Sequence, residues 1–179
     1  MAVMNIKDSR FELLVAREQI QGVVEQTCEV IQSLDDEVVF VVMANGANWF
    51  SQRVFEHFPS CVFDIEYALL KSYSGTTRNT ISALSMPEGE SIYGKTVVIL
   101  EDFIDSGKTI EYMMEWCLQC ANAKQVLVCP MCIREGVDSA RYNVANQPLV
   151  IPKDKWIVGC GLDYDHWGRN LADLYYMVK

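Results

Sequence analysis

The stretch VVILEDFIDSGKTIEYMM, Val97 to Met114, decides the fold. Val97 to Leu100 are all apolar, as in a strand covered on both faces. The run stops at two adjacent acids, Glu101 and Asp102. A third acid, Asp105, precedes Ser106-Gly107-Lys108-Thr109, and from about Lys108 to Cys120 the chain reads as a helix. Gly107-Lys108-Thr109 looks like the end of a triphosphate-binding P-loop. That motif needs a glycine where this chain has Asp102, and an acid there repels phosphate. The residues suit another ligand. Free N–H groups at the start of the helix, the hydroxyls of Ser106 and Thr109 and the helix dipole can hold a phosphate monoester without a basic patch. Gly107 lets the backbone turn closely around it. Glu101 and Asp102 suit sugar hydroxyls or the water shell of a metal ion. A sugar with a phosphate at one end satisfies both halves, and Asp105 lies within reach of whatever is attached at its other end.

Outward from this stretch, Ile20, Val23, Val24, Ile31 and Leu34 recur at helical spacing and predict one amphipathic helix from Ala16 to Leu34. VVFVVM (Val38 to Met43) reads as a buried strand, ANGAN as a turn and WFSQRVFEHF as a helix. DIEYALLKSY (Asp64 to Tyr73) predicts a second strand, KTVVIL the third, KQVLVCPMCI the fourth and WIVGCGL the fifth. The polar stretch from Ser74 to Ser91 is too long for an ordinary connection and reads as a functional lid or a disordered connector. Strands alternating with helices imply an α/β fold around a mostly parallel sheet, whose ligands bind beyond the carboxyl ends of the strands.

A chain of 179 residues, half of them hydrophobic, is long enough for one domain with a real core. The net charge of −9 argues against general binding of nucleic acid or anionic membranes. No apolar run approaches the ~20 residues of a membrane span, and the N-terminal stretch reads without a signal peptide. Seven cysteines with no export signal suggest free thiols in a reducing cytoplasm. Cys117/Cys120 and Cys129/Cys132 form two Cys-x-x-Cys pairs, a zinc-like signal. They fall inside a predicted helix and an apolar strand, without the turns a zinc knuckle needs, and buried thiols are the better reading.

VVILEDFIDSGKT is similar to the phosphoribosyl-diphosphate signature of the type I phosphoribosyltransferases. Three further segments resemble the hypoxanthine-guanine branch of that family. LLKSYSGTT looks like the start of its mobile loop, with the pair Ser72-Tyr73. IPKDKWIVGCGLDYDHWGRNL (Ile151 to Leu171) resembles its purine-binding segment, and VVMANGANWF occupies the place of its diphosphate loop. In order and spacing the resemblance runs from about Leu14 to Met177.

The resemblance implies a single phosphoribosyltransferase domain over 1–179. Its core would span about 35–150, with a small hood from the N-terminal segment and about 151–179. It implies magnesium-dependent transfer of a phosphoribosyl group from phosphoribosyl diphosphate to a 6-oxopurine, giving a purine nucleotide and diphosphate in purine salvage. Glu101 and Asp102 would hold the ribose hydroxyls, and Asp105, Ser106, Gly107, Lys108 and Thr109 the 5-phosphate. Asp105 would also accept the proton of the purine's imidazole side. Trp156 would stack on the base, whose edge Lys155, Ile157 and Asp163 would read. Glu101, Asp102 and Asp163 would serve Mg2+, and Ala44, Asn45, Gly46 and Arg169 the diphosphate. Ser72 and Tyr73 would close over the reaction centre and exclude water. A cytoplasmic homo-oligomer, dimer or tetramer, is implied.

Two positions depart from the family pattern. Arg134 stands where the family has a lysine that donates to the purine 6-oxo group; arginine can donate too, with different reach. In the diphosphate loop, Ala44-Asn45-Gly46 replaces a cation followed by glycine, and the resemblance places a non-proline cis peptide at Met43-Ala44. Some relatives of the fold are regulators that bind nucleotide or RNA. Such a protein should carry a basic face, and this sequence offers no clear basic cluster.

Overall fold

Val97 to Leu100 are fully buried at the heart of the larger of two sheets. The computed structural model describes residues 3–73 and 80–178. The chain begins with a hairpin, β1 (Val3–Ile6) and β2 (Ser9–Val15), and enters helix α1 (Arg17–Gln32). Strand β3 (Val38–Ala44), helix α2 (Asn48–Phe55), β4 (Asp64–Tyr73) and β5 (Thr80–Ser85) follow. Next come the short helix α3 (Gly89–Ile92), β6 (Thr96–Ile104) and α4 (Lys108–Glu115). The last helix runs on into a π-helical turn, Trp116–Cys120, before β7 (Gln125–Arg134), a 3-10 turn (Ser139–Tyr142) and β8 (Leu149–Ile151). Two more strands, β9 (Ile157–Val158) and β10 (Leu174–Met177), complete the chain.

The larger sheet has the order β5-β4-β3-β6-β7-β8, and only β5 runs antiparallel to its neighbour. This is the α/β architecture with a mostly parallel sheet that the apolar strands predict. α1 buries Ile20, Val23, Val24 and Ile31, the stripe its spacing predicts.

Three expectations need correction. First, WIVGCGL is not the fifth strand of this sheet. Its two strand residues, Ile157 and Val158, pair with β10 in a second, antiparallel sheet of order β1-β2-β10-β9. The central sheet instead ends on β8, which pairs with Cys132 to Arg134. Pro152 and the positive-φ residues Gly159, Cys160 and Gly161 break the later run into a short strand and tight turns. Second, the polar stretch from Ser74 to Ser91, read as a lid or a disordered connector, carries regular structure of its own over much of its length. Thr80 to Ser85 forms an edge strand on β4, where a polar outer face is tolerated, and α3 buries Ile92. Residues 74–79, the middle of the expected lid, lie outside the described residues. Third, the strand that opens the chain's signature does not stop at Leu100; it continues through Glu101 and Asp102 to Ile104.

The second sheet has a small core of its own, Ile6, Phe11, Val158 and Tyr175, with Phe11 edge-on to Tyr164 at 5.5 Å. Arg17, at the start of α1, grips Asp173 just before β10 through its backbone N–H (2.8 Å) and its guanidinium (2.9 Å), tying the start of α1 to the smaller sheet.

All seven cysteines are unpaired. Cys117, Cys129 and Cys132 are buried, and burial pushes the Cys117 and Cys129 thiols up to about 12. Such thiols stay protonated and act as small apolar fillers rather than nucleophiles.

Candidate active site

The chain leaves β3 for β4 on one side and returns to β6 on the other. Such a reversal opens a crevice at the carboxyl ends of the two strands. Val42 pairs with Leu100, so Met43-Ala44-Asn45-Gly46 and Glu101-Asp102 emerge side by side. The cis peptide bond is Ala44-Asn45, one residue beyond the expected position.

Glycine makes a close approach possible here. A Cβ on Gly46 would stand 1.6 Å from Asp102 Oδ2. Gly161, at φ +98°, lies against the other side of the same loop, and a Cβ there would stand 1.9 Å from the Gly46 carbonyl oxygen. Three segments distant in sequence are thus stacked, Gly161 on the Gly46 backbone and Gly46 on the Asp102 carboxylate. The sequence reading overlooked Gly161; its signal is the Gly-x-Gly in VGCGLD, which marks turns without saying what packs on them.

Around this stack lies a cavity of about 240 Å³. Of the residues singled out from sequence, Ala44, Gly46, Glu101, Asp102, Thr109, Asp163 and Arg169 line it. Met43, Leu70, Phe103 and Leu162 complete its wall and were not anticipated. Asn45, Asp105, Ser106, Gly107, Lys108, Arg134, Lys155, Trp156 and Ile157 lie outside that lining. Ser72 and Tyr73 end β4; their side-chain roles lie outside what the structure describes.

Glu101 is buried, and burial together with the neighbouring Asp102 charge pushes its carboxyl well above the usual range. Burial also raises Asp102, partly offset by the backbone N–H of Phe103, which donates to its Oδ1 at 2.9 Å, and by the Arg169 charge. An acid pair this short of compensation suits a ligand bringing hydroxyl donors or a cation. Across the cavity Asp163 accepts from Arg169 Nη2 at 2.6 Å and from the His166 backbone N–H at 2.7 Å, while Arg169 Nη1 donates to the Gly161 carbonyl at 2.7 Å. Among the described residues no three acidic, His or Cys side chains close around one point. A divalent ion here would therefore need water and substrate oxygens beside one or two carboxylates, which is how Mg2+ is commonly held.

Beyond Ile104 the chain turns through Asp105, Ser106 and Gly107, the last at φ +77°, into α4. No side chain caps this helix start, so the first N–H groups are available to an anion. Buried Tyr142 backs the turn: a Cβ on Gly107 would stand 2.1 Å from its hydroxyl oxygen. This was also not legible in the sequence.

Asp105 is exposed, and Arg134 Nε donates to its Oδ1 at 2.7 Å. The Arg134 guanidinium lies 4.6 Å from the ring centre of Phe103, which joins this bank to the cavity. Its Nη1 donates to the carbonyls of Pro152 and Lys155, both at 2.8 Å. Trp156 is 59% exposed, so it is not a core residue; its carbonyl is held by the Met177 N–H at 2.9 Å. Ile157 is buried beneath it in β9.

The model of the phosphoribosyl transferase domain family matches residues 14–165. The hypoxanthine-guanine phosphoribosyltransferase of Aquifex aeolicus is 27% identical over 178 residues, covering 95% of this chain and 96% of the relative. The Homo sapiens protein of the same name is 32% identical over 108 residues, 60% of this chain and 49% of that one. Among solved structures, a Staphylococcus aureus hypoxanthine phosphoribosyltransferase superposes with a TM-score of 0.75 at 23% identity, covering 93% of this chain and 91% of that one. The L. donovani hypoxanthine-guanine enzyme gives 0.76 at 18% identity, covering 93% and 99%. With the family match spanning strand, acid pair and glycine turn alike, the chain belongs to the phosphoribosyl transferase domain family.

Proposed function

We propose that this phosphoribosyltransferase acts in purine salvage, moving the phosphoribosyl group of phosphoribosyl diphosphate to a ring nitrogen of a 6-oxopurine and releasing diphosphate. The observation that carries the reading is the convergence, on one cavity, of the β3 loop, the buried acid pair, Thr109 and the Asp163–Arg169 pair. The uncapped start of α4 and the Asp105–Arg134 pair lie on its bank.

The N–H groups from Ser106 to Thr109, with the hydroxyls and Lys108, hold the 5-phosphate. Glu101 and Asp102 accept from the ribose hydroxyls. The Ala44-Asn45-Gly46 amides and Arg169 meet the diphosphate. Trp156 stacks on the base, and the backbone of Lys155, Ile157 and Asp163 reads its edge. Asp105 takes the imidazole proton as the bond to the sugar forms, and Arg134 donates to the 6-oxo oxygen. Mg2+, held by Glu101, Asp102 and Asp163 through water or directly, would neutralise the leaving diphosphate. Ser72 and Tyr73 would help exclude water, which otherwise hydrolyses the activated sugar. Unpaired thiols fit a reducing cytoplasm; a homo-oligomer, dimer or tetramer, is proposed on the resemblance alone.

The test is nucleotide formation from phosphoribosyl diphosphate and Mg2+ with hypoxanthine, guanine, xanthine and adenine in parallel. Turnover of at least one 6-oxopurine with adenine inert is expected. Turnover of adenine alone, or of no base, would sink the reading.

The diphosphate loop lacks the cation that the resemblance leads one to expect. Ala44→Lys should therefore tighten product inhibition by diphosphate, by roughly 3- to 10-fold for one added charge-assisted contact. An unchanged inhibition constant would remove Ala44 from that role.

A further inference from the structure

Resting on the purine reading above, we propose that Arg134 is a positioning residue that braces Asp105 against the purine-binding segment, and that this task is why the position carries arginine. A guanidinium offers five N–H donors fixed in one plane. Here Nε is committed to Asp105 Oδ1 at 2.7 Å, and Nη1 to two carbonyls, Pro152 and Lys155, at 2.8 Å each. One face of the group packs on Phe103, 4.6 Å from the ring centre. The Arg134 side chain is 16% exposed, whereas that of Asp105 is 65% exposed. The brace is thus largely shielded and over-determined, and the group it holds is open to solvent.

The two carbonyls flank the approach to Trp156. Arg134 therefore ties three things that must agree in position: the end of β7 on which it sits, the turn carrying Asp105, and the segment that presents the stacking ring. Among the described residues, Nη2 and Asp105 Oδ2 have no protein partner. They form an adjacent donor and acceptor, the complement of a ring N–H beside a carbonyl. A purine with a 6-oxo group presents that pair, while a 6-amino group would set a donor against a donor. A lysine ammonium offers only three donors, splayed from a single point; it cannot hold Asp105, both carbonyls and a substrate oxygen in one plane.

The decisive experiment is a double-mutant cycle with hypoxanthine, using Arg134→Lys, Asp105→Asn and the pair together. Arg134→Lys should lower kcat by about 10-fold or more, the value of one charge-assisted hydrogen bond, besides any rise in the KM for the base. In the Asp105→Asn background the same change should lower kcat by less than about 2-fold, because the amide can still be held but no longer takes the proton for which the brace positions it. An equal loss in kcat in both backgrounds overturns the proposal and leaves Arg134 as a purine contact only.

A second readout does not depend on turnover. The Arg134 Nε–H resonance, assigned by its loss in Arg134→Lys, should be protected from exchange in the parent protein and shifted by Asp105→Asn. A resonance unmoved by Asp105→Asn overturns the brace. If the parent protein converts no base at all, the purine reading fails, and the brace stands or falls on that resonance.

Discussion

Asp105→Asn is expected to fold normally and to lose about 10²- to 10⁴-fold in kcat, the usual contribution of a positioned proton acceptor. Asp105 sits in the turn between β6 and α4, exposed, with Arg134 as its one side-chain partner among the described residues. Replacing its carboxylate by an amide keeps the shape and removes the basicity. Exposed substitutions of this kind move stability within about 0.5 kcal/mol, so circular dichroism and the melting temperature should match the parent. The KM for phosphoribosyl diphosphate should change little, because the 5-phosphate is assigned to backbone N–H groups that the substitution leaves in place. Steady-state kinetics with hypoxanthine checks the expectation; full activity would remove Asp105 from proton transfer.

Gly161→Ala should damage both stability and substrate binding. The residue lies at φ +98°, a conformation costly for a side chain, and the added Cβ would stand 1.9 Å from the Gly46 carbonyl oxygen. It would also stand 3.3 Å from Trp49 Cβ. Backbone cannot rotate away as a flexible side chain can. A destabilisation of about 3 kcal/mol is expected from strain of this type, or roughly 6–12 °C in melting temperature for a chain of this size. Because Gly46 rests in turn on Asp102, the shift propagates to the acid pair, and the KM for phosphoribosyl diphosphate should rise as well. Gly22→Ala is the control: it lies in α1 with nothing within 4 Å of its new Cβ. It should stabilise by about 0.5–1 kcal/mol. An unchanged melting point and KM in Gly161→Ala would show that the loop stack is not a constraint.

The sequence by itself determined the parts of this protein that rest on local pattern. Continuous apolar runs such as Val97 to Leu100 and Val38 to Met43 mark strands covered on both faces, because they are short and rich in β-branched valine, where a buried helix would need a longer run. The stripe in α1 marks a helix for the corresponding reason. The order strand, acids, glycine, helix in VVILEDFIDSGKT is also local, since each part acts through its own backbone geometry. β1, β2 and β10 were missed although Phe11, Leu13 and Val15 alternate as a half-buried strand should; a short alternation beside a helix is a weak signal.

Only the tertiary structure decided which segments meet. Ile157-Val158 reads equally well as a strand of either sheet, and its pairing with Tyr175 and Tyr176 is a choice between partners that no local pattern encodes. The backing of Gly107 by Tyr142 and the stack of Gly161 on Gly46 on Asp102 join residues far apart in the chain. The Arg134 brace is of the same kind. From sequence Arg134 is a donor facing a base; in the fold three of its five N–H groups are already committed to Asp105 and two carbonyls. Hydrogen-bond capacity is written in the residue type, but how it is divided depends on where the chain brings its acceptors.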